Sequence, residues 1–197
     1  LVISHPAFLG GLAPLLEARE RQGLTVNAVD VNDLYTAYTG GVFDPRAIRE
    51  YIAYAAGSLG TRYVLLVGGD TYDYRDHLGA GSISFVPSLY APTGQYVRFV
   101  PSDALYADLD GNGVPDLAIG RFPVRTAAEL DMVIAKTLAY EAKEYGRTAF
   151  FAADVRSAAV QLPAVGDQRG AGGGADAPVR GDRDQAAGRG AALRGAA

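Results

Sequence analysis

The sequence predicts an α/β domain with a mostly parallel sheet and helices on both faces, and three observations carry that prediction. Short apolar runs alternate with segments of helical period along the first 150 residues or so. One run, Tyr63-Val64-Leu65-Leu66-Val67, is apolar throughout, as a central strand covered on both faces must be. The long stretch from Asp70 to Asp116 is rich in turn residues, which fits the loops that α/β folds place at the C-terminal edge of the sheet.

Taken in order, Leu1-Val2-Ile3 is a short buried strand closed by Ser4-His5-Pro6. Leu12, Leu15, Leu16 and Arg19 share one helical face, with Pro14 near the start, where a missing N–H costs little, and Gly23 at the end. Leu24 to Val31 is read as the second strand. Asp44-Pro45 supplies the cap and first position of a helix whose buried face is Ile48, Tyr51, Ile52 and Ala55. After the central strand, Leu117 to Gly120 forms another short strand. Thr126-Ala127-Ala128-Glu129 is a capping box, continued as a long helix through Leu130, Val133, Ile134, Thr137, Leu138 and Glu141. Thr148 to Ala152 is read as a last strand.

From Arg156 onward the composition changes. There is no aromatic residue, Ile, Lys or Glu, and about half the positions are Ala or Gly. Such a segment buries too little apolar surface to offset the entropy of ordering it, so residues 155–197 are expected to be disordered and residues 1–154 to form the folded unit. The Ala/Gly/Arg/Pro/Asp bias is also what a shifted reading frame through GC-rich DNA produces, which predicts that the native continuation is missing. The opening Leu1-Val2-Ile3 resembles the middle of a strand, so a further N-terminal stretch with any signal peptide is expected upstream.

The net charge is −4, and the six Arg and four Asp of the tail leave −6 on the body. An acidic body without a Lys/Arg cluster argues against nucleic acid as a partner. No apolar run reaches the 18 or so residues that span a bilayer. The chain has no Cys, which removes disulfides, zinc-thiolate sites and thiol nucleophiles together.

The most specific local motif is Asp108-Leu109-Asp110-Gly111-Asn112-Gly113-Val114-Pro115-Asp116. Oxygen-bearing side chains at Asp108, Asp110 and Asn112 can converge on one hard cation, with Asp116 adding a further oxygen. Position twelve, however, is Ile119 where an EF-hand loop has Glu. Two readings therefore stand, a structural Ca²⁺ site and a polar turn. Asp70, Asp73, Asp76 and His77 follow the central strand, where carboxylates beside a His could do acid/base work; the competing reading is a capped, solvated loop. His5 is read as a loop anchor. Phosphate-loop, dinucleotide and nucleophile-elbow signatures are absent.

Several segments together resemble the gingipain-type cysteine peptidases. They are Ser4-His5-Pro6-Ala7-Phe8, Gln22 to Val26, Tyr63 to Asp70, Ser102 to Tyr106, Asp108 to Gly113, Pro115 to Pro123 and Leu138 to Glu141, in that order, over roughly residues 1–154. The resemblance implies a caspase-like half domain: the first of two side-by-side subdomains, with the catalytic His and Cys in the missing second one. No catalytic residue is carried over to this chain, which is expected to be inactive by itself. The resemblance further implies a protein or peptide substrate for the complete enzyme, export to the cell surface or medium, bound Ca²⁺, and a structural role for Gly120-Arg121 with Arg121 bridging loops at the sheet edge. The alternative function is a non-catalytic, Ca²⁺-stabilised binding or scaffold module.

Overall fold

A computed structural model describes residues 1–93 and 98–143. Four parallel strands form the sheet: β1 (Val2–Ser4), β2 (Ala28–Asp30), β3 (Tyr63–Val67) and, fourth in this sheet, β6 (Ala118–Phe122), in the order β2-β1-β3-β6. A separate antiparallel hairpin, β4 (Tyr90–Pro92) with β5 (Phe99–Pro101), rises from the connection between β3 and β6. β1 is the keystone, since Ile3 pairs with Val29 on one side and Leu66 on the other.

Strand alternation sends Ile3, Val64 and Leu66 to one face and Val2, Leu65 and Val67 to the other. The first face is covered by α3 (Val31–Thr39), α4 (Pro45–Leu59) and α5 (Ala104–Ala107), which contribute Val31, Leu34, Tyr35, Ala47, Ile48, Ile52 and Tyr106. The second is covered by α1 (Pro6–Leu9), α2 (Ala13–Arg21) and α6 (Ala127–Glu141) through Phe8, Leu15, Leu130 and Ile134. Helices therefore lie on both faces of a parallel sheet, as predicted. Ile3, Ile48, Ile52 and Leu66 are wholly buried, each worth about 1.5–3 kcal/mol relative to exposure.

The caps explain the helix bounds. Asp44 accepts from the Arg46 N–H, Pro45 takes the first position, and Gly60 closes α4 in the left-handed region at φ 66°. In α6 the Thr126 hydroxyl accepts from the Glu129 N–H, while the Glu129 carboxylate reaches back to the Arg125 N–H, a capping box displaced by one residue. Arg19 donates two 2.6 Å bonds to Glu141, tying α2 to α6.

Three expectations change. The second strand starts at Ala28 rather than Leu24 and ends at Asp30, because Asp30 accepts from the Asn32 N–H and starts α3, turning Val31 into a helical residue. α3 itself was not expected. Its β-branched and aromatic residues are poor helix formers, but Val31, Leu34 and Tyr35 bury one face and outweigh propensity. The connection from Asp70 to Asp116 carries a hairpin and a one-turn helix as well as loops. The strand read at Thr148 to Ala152, the 1–154 boundary and the tail at 155–197 lie outside the described residues.

Candidate functional site

The chain leaves β1 for β2 across one face and returns from β2 to β3 across the other, so the neighbours β1 and β3 mark the switch point of the sheet. In open α/β sheets ligands bind at the C-terminal ends of such strands. Here those ends carry Ser4-His5 and Gly68-Gly69-Asp70.

His5 caps α1: its Nδ1 accepts from the Ala7 N–H at 3.2 Å, which places the ring proton on Nε2. The ring meets Phe85 edge-on at 5.0 Å and Phe8 at 6.1 Å. Burial holds the His5 pKa below its ordinary value, and the nearby Asp30 carboxylate opposes that in part. His5 is the loop anchor that the sequence suggested.

Among the described glycines, Gly68 has the tightest surroundings. Its φ is 138°, and a Cβ there would lie 2.7 Å from Phe85 Cβ and 3.1 Å from Val86 Cγ2. Only glycine allows loop 84–88 to pack this tightly on the end of β3. That loop is then held by two polar centres. The Asp70 carboxylate accepts from the Ser84 hydroxyl, the Ser88 N–H at 2.9 Å and the Tyr90 hydroxyl at 3.2 Å. Burial first, then the Asp70 charge, pushes the Tyr90 pKa up to about 12. Arg121 donates to Asp103 through Nε and Nη2 at 2.7 Å each, to the Gly68 and Val86 carbonyls through Nη1 at 2.7 and 2.6 Å, and to the Pro87 carbonyl through Nη2 at 3.0 Å. One guanidinium thus locks the loop after β3, the segment before β4 and the start of α5 together. The bridging role of Arg121 is as expected. Its partner Asp103 lies 18 residues away, and an acidic residue preceding a short helix is the only sequence signal for it.

Asp73 accepts from the His77 and Leu78 N–H groups, and the first of its pKa influences, the Leu78 bond, lowers it. Asp76, at φ 53°, accepts from the Ser82 N–H. No hydrogen bond among the described residues joins Asp70 to Asp73 or engages the His77 imidazole. The His77 charge reaches Asp73 and helps to lower its pKa, but no hydrogen bond among the described residues links the trio of Asp70, Asp73 and His77, and both carboxylates are engaged in organising their own loop.

The Asp108–Asp116 loop is also built by its carboxylates. Asp108, buried, accepts from the Gly111 N–H through Oδ1 at 2.9 Å and the Gly113 N–H through Oδ2 at 3.0 Å. Asp116 accepts from the Leu109 N–H at 2.8 Å, and the Asp108 carbonyl accepts from Arg49 of α4. One carboxylate oxygen from each of Asp108, Asp110 and Asp116 lies within 4.8 Å of the others. Asn112 is joined to that trio through Asp110: its Nδ2 donates to Asp110 at 2.9 Å, and its Oδ1 accepts from the Val114 N–H at 2.7 Å.

Tyr35, on α3, has a buried hydroxyl with no hydrogen-bond partner among the described residues. Burial, reinforced by the field of Asp70, drives its pKa well above the ordinary phenol value. Among the described residues no helix is long and apolar enough to cross a membrane.

Compared with known proteins, residues 1–186 match peptidase family C25, a match that runs beyond the residues 1–154 that carry the motif resemblance. Comparison with curated proteins returns no match. Among solved structures, the chain is similar to dimeric latent PorU from Porphyromonas gingivalis, at 26% identity and a TM-score of 0.58 over 71% of this chain and 15% of that one. It is similar in fold to the complex of Porphyromonas gingivalis RgpB pro- and mature domains, at 21% identity and a TM-score of 0.52. The Arg-specific cysteine proteinase gingipain R gives 20% and 0.51. Each of these two is matched over 71% of this chain and 28% of its own length. The chain thus spans under a third of each of these three proteins.

Proposed function

Because the chain belongs to peptidase family C25, the gingipain-type cysteine peptidases, we propose that this segment is the non-catalytic first subdomain of a caspase-like endopeptidase. In this reading it supports a second subdomain that carries the Cys–His pair and cleaves peptide bonds through a thioester. One observation carries the proposal. The edge where an α/β enzyme keeps its chemistry is here filled by Arg121, Asp103 and Asp70 holding loops, and the sequence has no cysteine to serve as thiolate. Family membership also supports export to the cell surface or medium and a protein or peptide substrate for the complete enzyme. The test is to assay the purified chain against a fluorogenic peptide panel, expecting no turnover. Cleavage that survives His5→Ala/His77→Ala and repurification would defeat the proposal.

A second reading, a Ca²⁺-stabilised module, is favoured by the convergence of Asp108, Asp110 and Asp116. An all-oxygen donor set suits a hard cation, and each carboxylate oxygen keeps a lone pair beyond its N–H bond. Asn112 Oδ1 likewise keeps a second lone pair beyond its bond from the Val114 N–H. Ca²⁺ is expected to raise the melting temperature where Mg²⁺ does not. Equal or absent responses to the two ions would leave the loop a polar turn.

A further inference from the structure

The loop from Asp108 to Asp116 holds the chain's only Asn–Gly and its only Asp–Gly dipeptide, back to back as Asp110-Gly111-Asn112-Gly113. We propose that Asn112 is a site of spontaneous deamidation and that the Asp108 carboxylate is the brake on it.

The chemistry is intramolecular. The Gly113 nitrogen attacks Asn112 Cγ and loses its proton to solvent. The Cγ–Nδ2 bond breaks, and Nδ2 takes up a proton and leaves as ammonia. The resulting five-membered succinimide is opened by water at either carbonyl to give aspartate or isoaspartate. No oxidant or further reactant is needed. Glycine at the attacking position leaves the nitrogen unshielded by any Cβ, and open space surrounds Gly113. Residues 110–116 are exposed, so water reaches the loop.

Two contacts act on this step in opposite directions. The Val114 N–H donates to Asn112 Oδ1 at 2.7 Å and draws electron density from Cγ, which favours attack. The Gly113 N–H is held at 3.0 Å by Asp108 Oδ2, and the Gly111 N–H at 2.9 Å by Asp108 Oδ1. A carboxylate on the N–H disfavours the anionic nitrogen that attacks, by like-charge repulsion, and ties that nitrogen in place. The buried Asp108 thereby guards both glycine nitrogens.

The product changes the loop. Asn112 Nδ2 donates to Asp110 Oδ2 at 2.9 Å; a carboxylate at 112 would set two anions there instead and add one negative charge. Deamidation therefore replaces that hydrogen bond by a charge repulsion, irreversibly and in proportion to the age of the molecule.

The full chain would be incubated at mildly alkaline pH with EDTA, which keeps cation binding out of the result, and followed by peptide mapping for the mass gain of about one dalton and for isoaspartate. Conversion is expected at Asn112 ahead of Asn27 and Asn32. Asp108→Ala is expected to speed it by roughly tenfold or more, the factor that losing one hydrogen bond to a charged group permits. A peptide spanning Asp108–Asp116, which cannot misfold, is expected to react faster than the chain. Asn112 remaining intact over a period in which that peptide converts fully would overturn the site. An unchanged or slower rate in Asp108→Ala would overturn the brake.

Discussion

Arg121→Ala is expected to be among the most damaging single substitutions at the sheet edge. The side chain is 10% exposed and its partner Asp103 24% exposed. Removing the guanidinium leaves the Asp103 carboxylate without its fork and the Gly68, Val86 and Pro87 carbonyls without their donor. Breaking one side of a buried ion pair costs about 3–5 kcal/mol, and the partial exposure of Asp103 places this case near about 3 kcal/mol. For a domain of this size each kcal/mol moves the melting temperature by about 3 °C, so a fall of about 9 °C is expected in thermal unfolding followed by circular dichroism. Arg121→Lys keeps the charge but not the planar fork, and should recover less than half of the loss. Arg121→Met/Asp103→Leu removes both charges together and should be less costly than Arg121→Ala. A fall of less than about 2 °C for Arg121→Ala, or a double variant that equals the sum of the singles, would refute the clamp.

Gly68→Ala should destabilise by about 2 kcal/mol or more, since the new Cβ collides with Phe85 and the φ of 138° is foreign to alanine; an unchanged urea midpoint would show that loop 84–88 yields freely. Tyr35→Phe removes a buried hydroxyl that has no partner among the described residues and should stabilise by about 1 kcal/mol. A lowered melting temperature would reveal a bridging water. The folded-state pKa of His5 lies below its ordinary 6.5, so its contribution to stability is complete above that value and is lost as the pH falls towards the folded pKa. Urea midpoints of the wild type and His5→Asn, which keeps a capping oxygen, should therefore diverge as the pH falls below 6.5; a constant difference would refute this.

The sequence was readable where local and tertiary forces agree. Tyr63 to Val67 and the caps at Asp44 and Thr126 each meet in the fold the environment their residues prefer. α3 was hidden because Val31-Asn32-Asp33-Leu34-Tyr35 is helical through burial against the sheet, which no local window contains. The hairpin was hidden by Pro92 and Pro101 at its strand ends, residues that normally argue against a strand. The same division holds at the site. Spacing alone found the converging Asp108, Asp110 and Asp116, but only three dimensions join Arg121 to Asp103.

The central place of β1 also sets a schedule for folding. β1 is three residues long, and both of its edges are satisfied by strands that come later in the chain. Leu1 and Tyr63, whose contact marks the start of the β1–β3 ladder, are 62 residues apart. At about 5–20 residues per second, a ribosome needs about 3–12 s to supply the second partner after the first strand has emerged. Through that interval Val2 and Ile3 have no complete sheet to enter, and the nascent chain presents an apolar strand with an open edge. A holding chaperone that recognises short extended apolar segments would find its substrate there, before the loops that follow β3 exist.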